Sequence, residues 1–85
     1  MELNYTAHAA AMLVERKMPR EWIERTIHDP DSKYKADDGN NHYIKSIPEY
    51  GSRFLRVVVH PTAEPLRVIT FFFDRRIKKH ENTSR

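Results

Sequence analysis

Between Arg53 and Arg76 the chain reads RFLRVVVH, then PTAEP, then LRVITFFFDRR. Two runs dense in Val, Ile, Phe and Thr flank a short segment that holds Pro61 and Pro65. Branched and aromatic side chains suit a pleated, half-buried surface, and proline interrupts strand pairing. The runs are therefore predicted to be adjacent strands at the middle of a sheet, joined by a tight connection. Alternation along the first run puts Leu55, Val57 and Val59 on one face and Phe54, Arg56, Val58 and His60 on the other. In the second run Ile69, Phe71 and Phe73 share a face, opposite Val68, Thr70, Phe72 and Asp74. Near-continuous apolar runs imply that both faces are largely covered. Arg56 and His60 then mark one face as a partly wet groove and leave the other as the dry core.

The segments before this pair read as helices and a hairpin. Glu2–Tyr5 suits a short extra strand or an extended lead-in. Thr6 suits an N-cap for a helix from Ala7 to about Lys17, with Ala9, Ala10, Leu13 and Val14 as its apolar stripe. Met18-Pro19 breaks that helix and opens a second, to about His28, that buries Trp22, Ile23, Thr26 and Ile27. Asp29–Ser32 stops it. Lys33–Ala36 and His42–Ile47 are predicted strands around the turn Asp37–Asn41, and Pro48–Ser52 is a further turn. The predicted class is α+β: two N-terminal helices packed on a four-stranded antiparallel meander. One domain is expected over residues 1–76, followed by a basic flexible tail, 77–85.

Eighty-five residues with a formal net charge of +3 and no cysteine make a single modest core without disulfide or thiolate chemistry. No apolar run approaches a membrane span, and MELNYTAH lacks the layout of a leader peptide, so a soluble cytoplasmic protein is expected. The mild basic excess admits an anionic partner such as RNA without requiring one. None of the five histidines stands at helical i,i+4 spacing to another, so no metal site and no cofactor are expected. Asp37-Asp38-Gly39-Asn40 reads as a turn and not as a calcium loop.

Five fragments occur in a recognisable order: Tyr5-Thr6-Ala7-His8-Ala9, Glu15-Arg16-Lys17-Met18, Ile27-His28-Asp29-Pro30, Arg56-Val57-Val58-Val59-His60 and Val68-Ile69-Thr70. Together they resemble the DUF4258 family, which itself resembles the RelE/ParE and BrnT toxins. The likeness spans about residues 3–74. Two positions depart from it. Met12 stands where many relatives carry arginine, and Lys17 stands where glycine is usual. The resemblance implies a RelE-like fold with helices on one sheet face. It also implies a metal-independent mRNA endoribonuclease, or an RNA- or ribosome-binding toxin, neutralised by an antitoxin. The alternative is a non-catalytic protein-interaction domain that keeps the toxin-like fold.

Metal-free cleavage at a 2′-hydroxyl needs a proton acceptor, a proton donor and cations at the phosphorane; His and Arg suit these roles, and Tyr or Lys can substitute. His60 and Arg56 share a predicted strand face with Cα atoms roughly 13 Å apart, a span one extended phosphodiester segment can bridge. They are the first catalytic candidates, with His8 at the helix start as the third. Arg53, Arg16, Arg75, Arg76 and Thr70 are the RNA-binding candidates. Each has a structural alternative. His60 can bond the 61–65 turn, His8 can fix how its helix docks, and Arg16 can pair with Glu15, Glu21 or Asp29. His42 is expected to be exposed beside its turn. Trp22 and Phe71–Phe73 read as core, while Phe72 and Tyr43 are the candidates for base stacking.

Overall fold

The computed structural model describes residues 2–77, and the tail expected over 77–85 lies, except for Ile77, outside them. The elements are β1 (Leu3–Tyr5), α1 (Ala7–Glu15), α2 (Arg20–His28), β2 (Ser32–Lys35), β3 (Asn41–Ile47), a 3-10 turn (Pro48–Tyr50), β4 (Arg53–Val59) and β5 (Leu66–Phe73). They form one sheet in the order β1-β5-β4-β3-β2.

This corrects the expected four-stranded antiparallel sheet. β2 to β5 do make an antiparallel meander, but Leu3–Tyr5 adds a fifth strand, parallel to β5, with Leu3 opposite Leu66 and Tyr5 opposite Val68. The sheet is therefore mixed. Two helices intervene between β1 and the meander, which gives the chain enough length to reach the far side of β5. Thr6 extends that contact. Its N–H donates to Val68 O, and its hydroxyl donates to Ile69 O at 3.0 Å while accepting from Ala9 N–H at 3.1 Å. One side chain caps α1 and ties it to the edge of β5.

α1 lies against β5 and β1, while α2 lies against β3 and β4. The core between helices and sheet holds Ala9, Met12 and Leu13 of α1, Ile23 and Ile27 of α2, and Tyr43, Ile47, Leu55, Val57, Val59, Val68 and Phe71 of the sheet. The buried face of α2 is the expected one, with Trp22 half-buried at its margin. The stripe expected on α1 is rotated. Ala10 and Val14 face solvent and Met12 is buried, because the Thr6 tether turns that flank toward β5, where the Thr70 hydroxyl donates to Met12 Sδ at 3.6 Å. Tyr43 belongs to this core and offers no stacking surface. A register shift beside Val58 and Val59 lets Val68 and Phe71, three residues apart, both point into it. Among the described residues no helix is long and apolar enough to cross a membrane.

Candidate functional site

The sheet face turned away from the helices carries a connected polar network. Arg56 sits at its centre, 8% exposed, with Ile44 and Phe72 as cross-strand neighbours. Its Nε donates to Asp74 Oδ2 at 2.9 Å, and a terminal nitrogen lies 2.8 Å from the same oxygen. The other terminal nitrogen donates to the Tyr34 hydroxyl at 2.6 Å and to His42 Nδ1 at 3.0 Å. Guanidinium can only donate, so His42 Nδ1 is the acceptor. The ring proton then sits on Nε2, which donates to Asp38 Oδ2 at 3.0 Å. Tyr34 stacks on His42 with centroids 5.6 Å apart. Asp74, 4% exposed, also receives the Arg76 fork, with Nε to Oδ1 and a terminal nitrogen to Oδ2 both at 2.9 Å. The Arg76 fork, and behind it Arg56, hold the Asp74 carboxyl well below the usual carboxylate range against the opposing effect of burial. The Asn40 N–H and then His42 lower that of Asp38.

This saturation has a chemical consequence. Arg56 commits four of its five N–H donors within the chain, so binding a phosphate would require breaking the network. Its role here is that of a strut joining β2, β3, β4 and the end of β5.

A second feature opens at the lower end of the sheet, where α1 ends and β4 begins. A groove of about 800 Å³, within the range of ligand clefts, is walled by Trp22, Tyr50, Phe54, Phe72 and Phe73. Arg16, Lys17, Arg53 and Arg75 line it and are exposed. None of these four cations makes an ion pair with a carboxylate among the described residues. The carboxylate in the lining, Asp74, is neutralised by Arg56 and Arg76. The groove is therefore net positive over an aromatic floor.

The sequence-selected residues thus divide. Arg16, Arg53 and Arg75 converge on the groove, although they come from three different elements. Arg76 is locked onto Asp74 instead. His8 and Thr70 meet at 3.3 Å, on the flank where α1 crosses β5. His60 follows β4 at the opposite end from Arg53, and its Nδ1 accepts the N–H groups of Thr62 and Ala63 at 3.2 and 3.1 Å. The fold therefore seats His60, Arg56 and His8 in three separate environments. Contrary to expectation His42 is mostly covered, its side chain 12% exposed, because Tyr34 stacks on it and Arg56 reaches it from the next strand. Lys17, Tyr34, Tyr50 and Asp74 were not selected. Asp74 carried a signal: it shares a strand face with Phe72, and a carboxylate closing an apolar strand needs a cation on the neighbouring strand. Among the described residues no three His, Asp or Glu side chains converge as a metal would require.

Backbone strain singles out the groove. Among the described residues only Lys17 (φ 51°) and Ser52 (φ 57°) are non-glycine residues in the left-handed region, and both line it. Such outliers concentrate where surrounding structure holds them for a purpose. Lys17 occupies the residue after the α1 C-cap. Its N–H donates to Val14 O at 3.2 Å, and that of Met18 donates to Leu13 O at 3.0 Å, a Schellman closure that favours glycine. Lys17→Gly is expected to stabilise the domain by about 0.5–1 kcal/mol, read as a higher urea midpoint at unchanged slope.

The profile of DUF4258, a domain of unknown function, matches residues 5–73, and the chain belongs to that family. No curated protein and no solved structure matches it.

Proposed function

We propose that this domain is a cytoplasmic RNA-binding protein of the RelE and BrnT toxin type, with the RelE-like fold, whose groove grips a single strand and is covered by an antitoxin when silent. The observation that carries the RNA reading is the set of four exposed cations, none in an ion pair among the described residues, around one aromatic-floored groove. A flexible phosphate backbone is drawn to such a groove, and release of its counterions drives binding. The resemblance of the DUF4258 fragments to the toxins suggests the second part, metal-independent endoribonuclease activity. For that chemistry the groove brings Lys17 and Tyr50 as proton-transfer groups and Arg16, Arg53 and Arg75 as cations for the phosphorane. The first sequence choices, His60, Arg56 and His8, are engaged elsewhere.

The test uses purified protein and 5′-labelled single-stranded RNA in the presence of chelator. Expected are saturable binding that weakens with salt, and shorter labelled products on a denaturing gel. Induction of the chain alone is expected to arrest growth. A folded protein that neither binds RNA nor slows growth sinks the proposal. Binding without products keeps the RNA reading and removes the nuclease.

The second reading, a non-catalytic interaction domain, is favoured by the outer edge of β2. Its four residues, Ser32–Lys35, are exposed, and among the described residues the strand pairs on one side only. A partner protein that adds a strand there would slow amide exchange in β2 and leave the groove open.

A further inference from the structure

We propose that the groove holds one unstacked base of the single strand on the guanidinium plane of Arg53, backed by the ring of Tyr50. This rests on the RNA reading above and names what that groove recognises. Arg53 Cζ lies 4.9 Å from the Tyr50 ring centroid, so one face of the guanidinium is already on an aromatic surface. Tyr50 in turn leans on Phe73 at 4.6 Å and on Trp22 at 6.1 Å, and Trp22 meets Phe73 edge-on at 6.3 Å. Arg53 is thus the outermost layer of a stack rooted in β5 and α2.

The backbone is built to hold that layer in place. Gly51 (φ 65°) and Ser52 (φ 57°) are consecutive left-handed residues, and they fold the chain back so that Arg53 returns over Tyr50. Ser52 N–H donates to Ile47 O at 2.9 Å, and Ser46 Oγ donates to Ser52 O at 3.0 Å. On the other side of the turn Glu49 accepts both ends of the Arg25 fork, at 2.9 and 2.8 Å. That pairing pins the turn and neutralises its carboxylate. Left-handed backbone at a non-glycine residue is strained, and the surrounding bonds must offset that strain.

A guanidinium is flat and weakly hydrated, and it stacks on π-systems, so a second flat group can complete the sandwich. The second flat group offered by single-stranded RNA is a base, while its flanking phosphates face Arg16, Lys17 and Arg75. A base inside a duplex is already stacked on its neighbours and cannot take this position. Every base has a π-face, so the platform selects single-strandedness and tolerates sequence.

Trp22, the chain's only tryptophan, reports on the groove directly. Its emission would be followed while the protein is titrated with a short single-stranded RNA, the same oligomer made abasic, or polyphosphate of matched charge. Expected is a change of emission with the base-bearing RNA and affinity about tenfold or more above the abasic oligomer. Arg53→Lys keeps the charge and loses the plane. It is expected to remove that tenfold advantage, read as the ratio of the two affinities within the same protein. Equal affinity for the two oligomers, or an unchanged advantage in a folded Arg53→Lys protein, overturns the platform and leaves RNA binding standing. Failure of all three polymers to bind overturns both.

Discussion

Replacing Asp74 by asparagine is expected to destabilise the domain by about 3–5 kcal/mol, because it leaves a buried guanidinium without its counter-ion. Arg56 is 8% exposed and cannot shed its proton, so neutralising Asp74 does not let the partner neutralise itself. Asparagine is close in shape, yet its amide group presents hydrogens to donors on one side, and the Arg76 fork loses its second acceptor. A chain of 85 residues carries roughly 4–13 kcal/mol in total, so the loss is a large share of it. It should lower Tm by more than about 12 °C. Removing both charges with Arg56→Met and Asp74→Leu is expected to recover part of the loss, since an apolar pair carries no desolvation penalty while Tyr34 and His42 lose the donor they shared. Thermal melts of the three proteins decide the matter: a single asparagine change that shifts Tm by only a degree or two means that water screens the pair.

The same carboxyl sets an acid limit. Its folded-state pKa is depressed, first by Arg76 and then by Arg56, while an unfolded aspartate titrates near about 3.9. The unfolded chain therefore takes up the proton first as pH falls. The stabilisation is complete above the unfolded pKa and is lost as pH drops toward the lower folded value. The gap in urea midpoint between the natural protein and Asp74→Asn should accordingly be constant near neutrality and narrow below about pH 4. A gap that narrows between pH 7 and 5 would point to a different titrating group.

Where the sequence spoke through period and parity, it was readable; where the answer depended on which elements meet, it was not. Alternation alone put Arg56 opposite Leu55 and Val57, and Thr6 and Pro19 mark the helix starts they were expected to mark. Leu3-Asn4-Tyr5 is too short to announce a partner, and its parallel seat beside β5 follows only from the length of chain in the two helices. His42 looked exposed because it adjoins a turn, yet its surroundings come from Tyr34 and from Arg56, fourteen positions away. Arg16, Arg53 and Arg75 were each legible as cations. Their convergence needs the end of α1, the start of β4 and the end of β5 to meet, and no local pattern encodes that. Lys17 shows the gap best. As a departure from a usual glycine it looks like a flaw, but in the fold it adds a cation to the groove at a strained position.

If that convergence is an RNA interface, reversing Arg16 and Arg75 together to glutamate should lower affinity for single-stranded RNA on the order of 100-fold at physiological salt. Each phosphate contact contributes a slope of about −0.7 in log K against log salt, which is about fourfold in affinity at 0.15 M. Two lost contacts give about fifteenfold, and the two added negative charges repel the strand by a similar factor. The slope itself should flatten by at least about 1.4, the share of the two lost contacts. The pair also takes the formal net charge from +3 to −1, since each change subtracts two, so loss of general attraction has to be separated from loss of the groove. Lys35→Glu with Arg67→Glu makes the same change in net charge on exposed positions of β2 and β5 away from the groove. That control is expected to slow association somewhat and to keep the salt slope within a few tenths of the natural value. Equal losses in the two double variants would mean that the RNA feels only the charge of the whole domain. A selective loss at Arg16 and Arg75 would locate the strand where α1, β4 and β5 meet, with Lys17 and Arg53 as the remaining cations beside it.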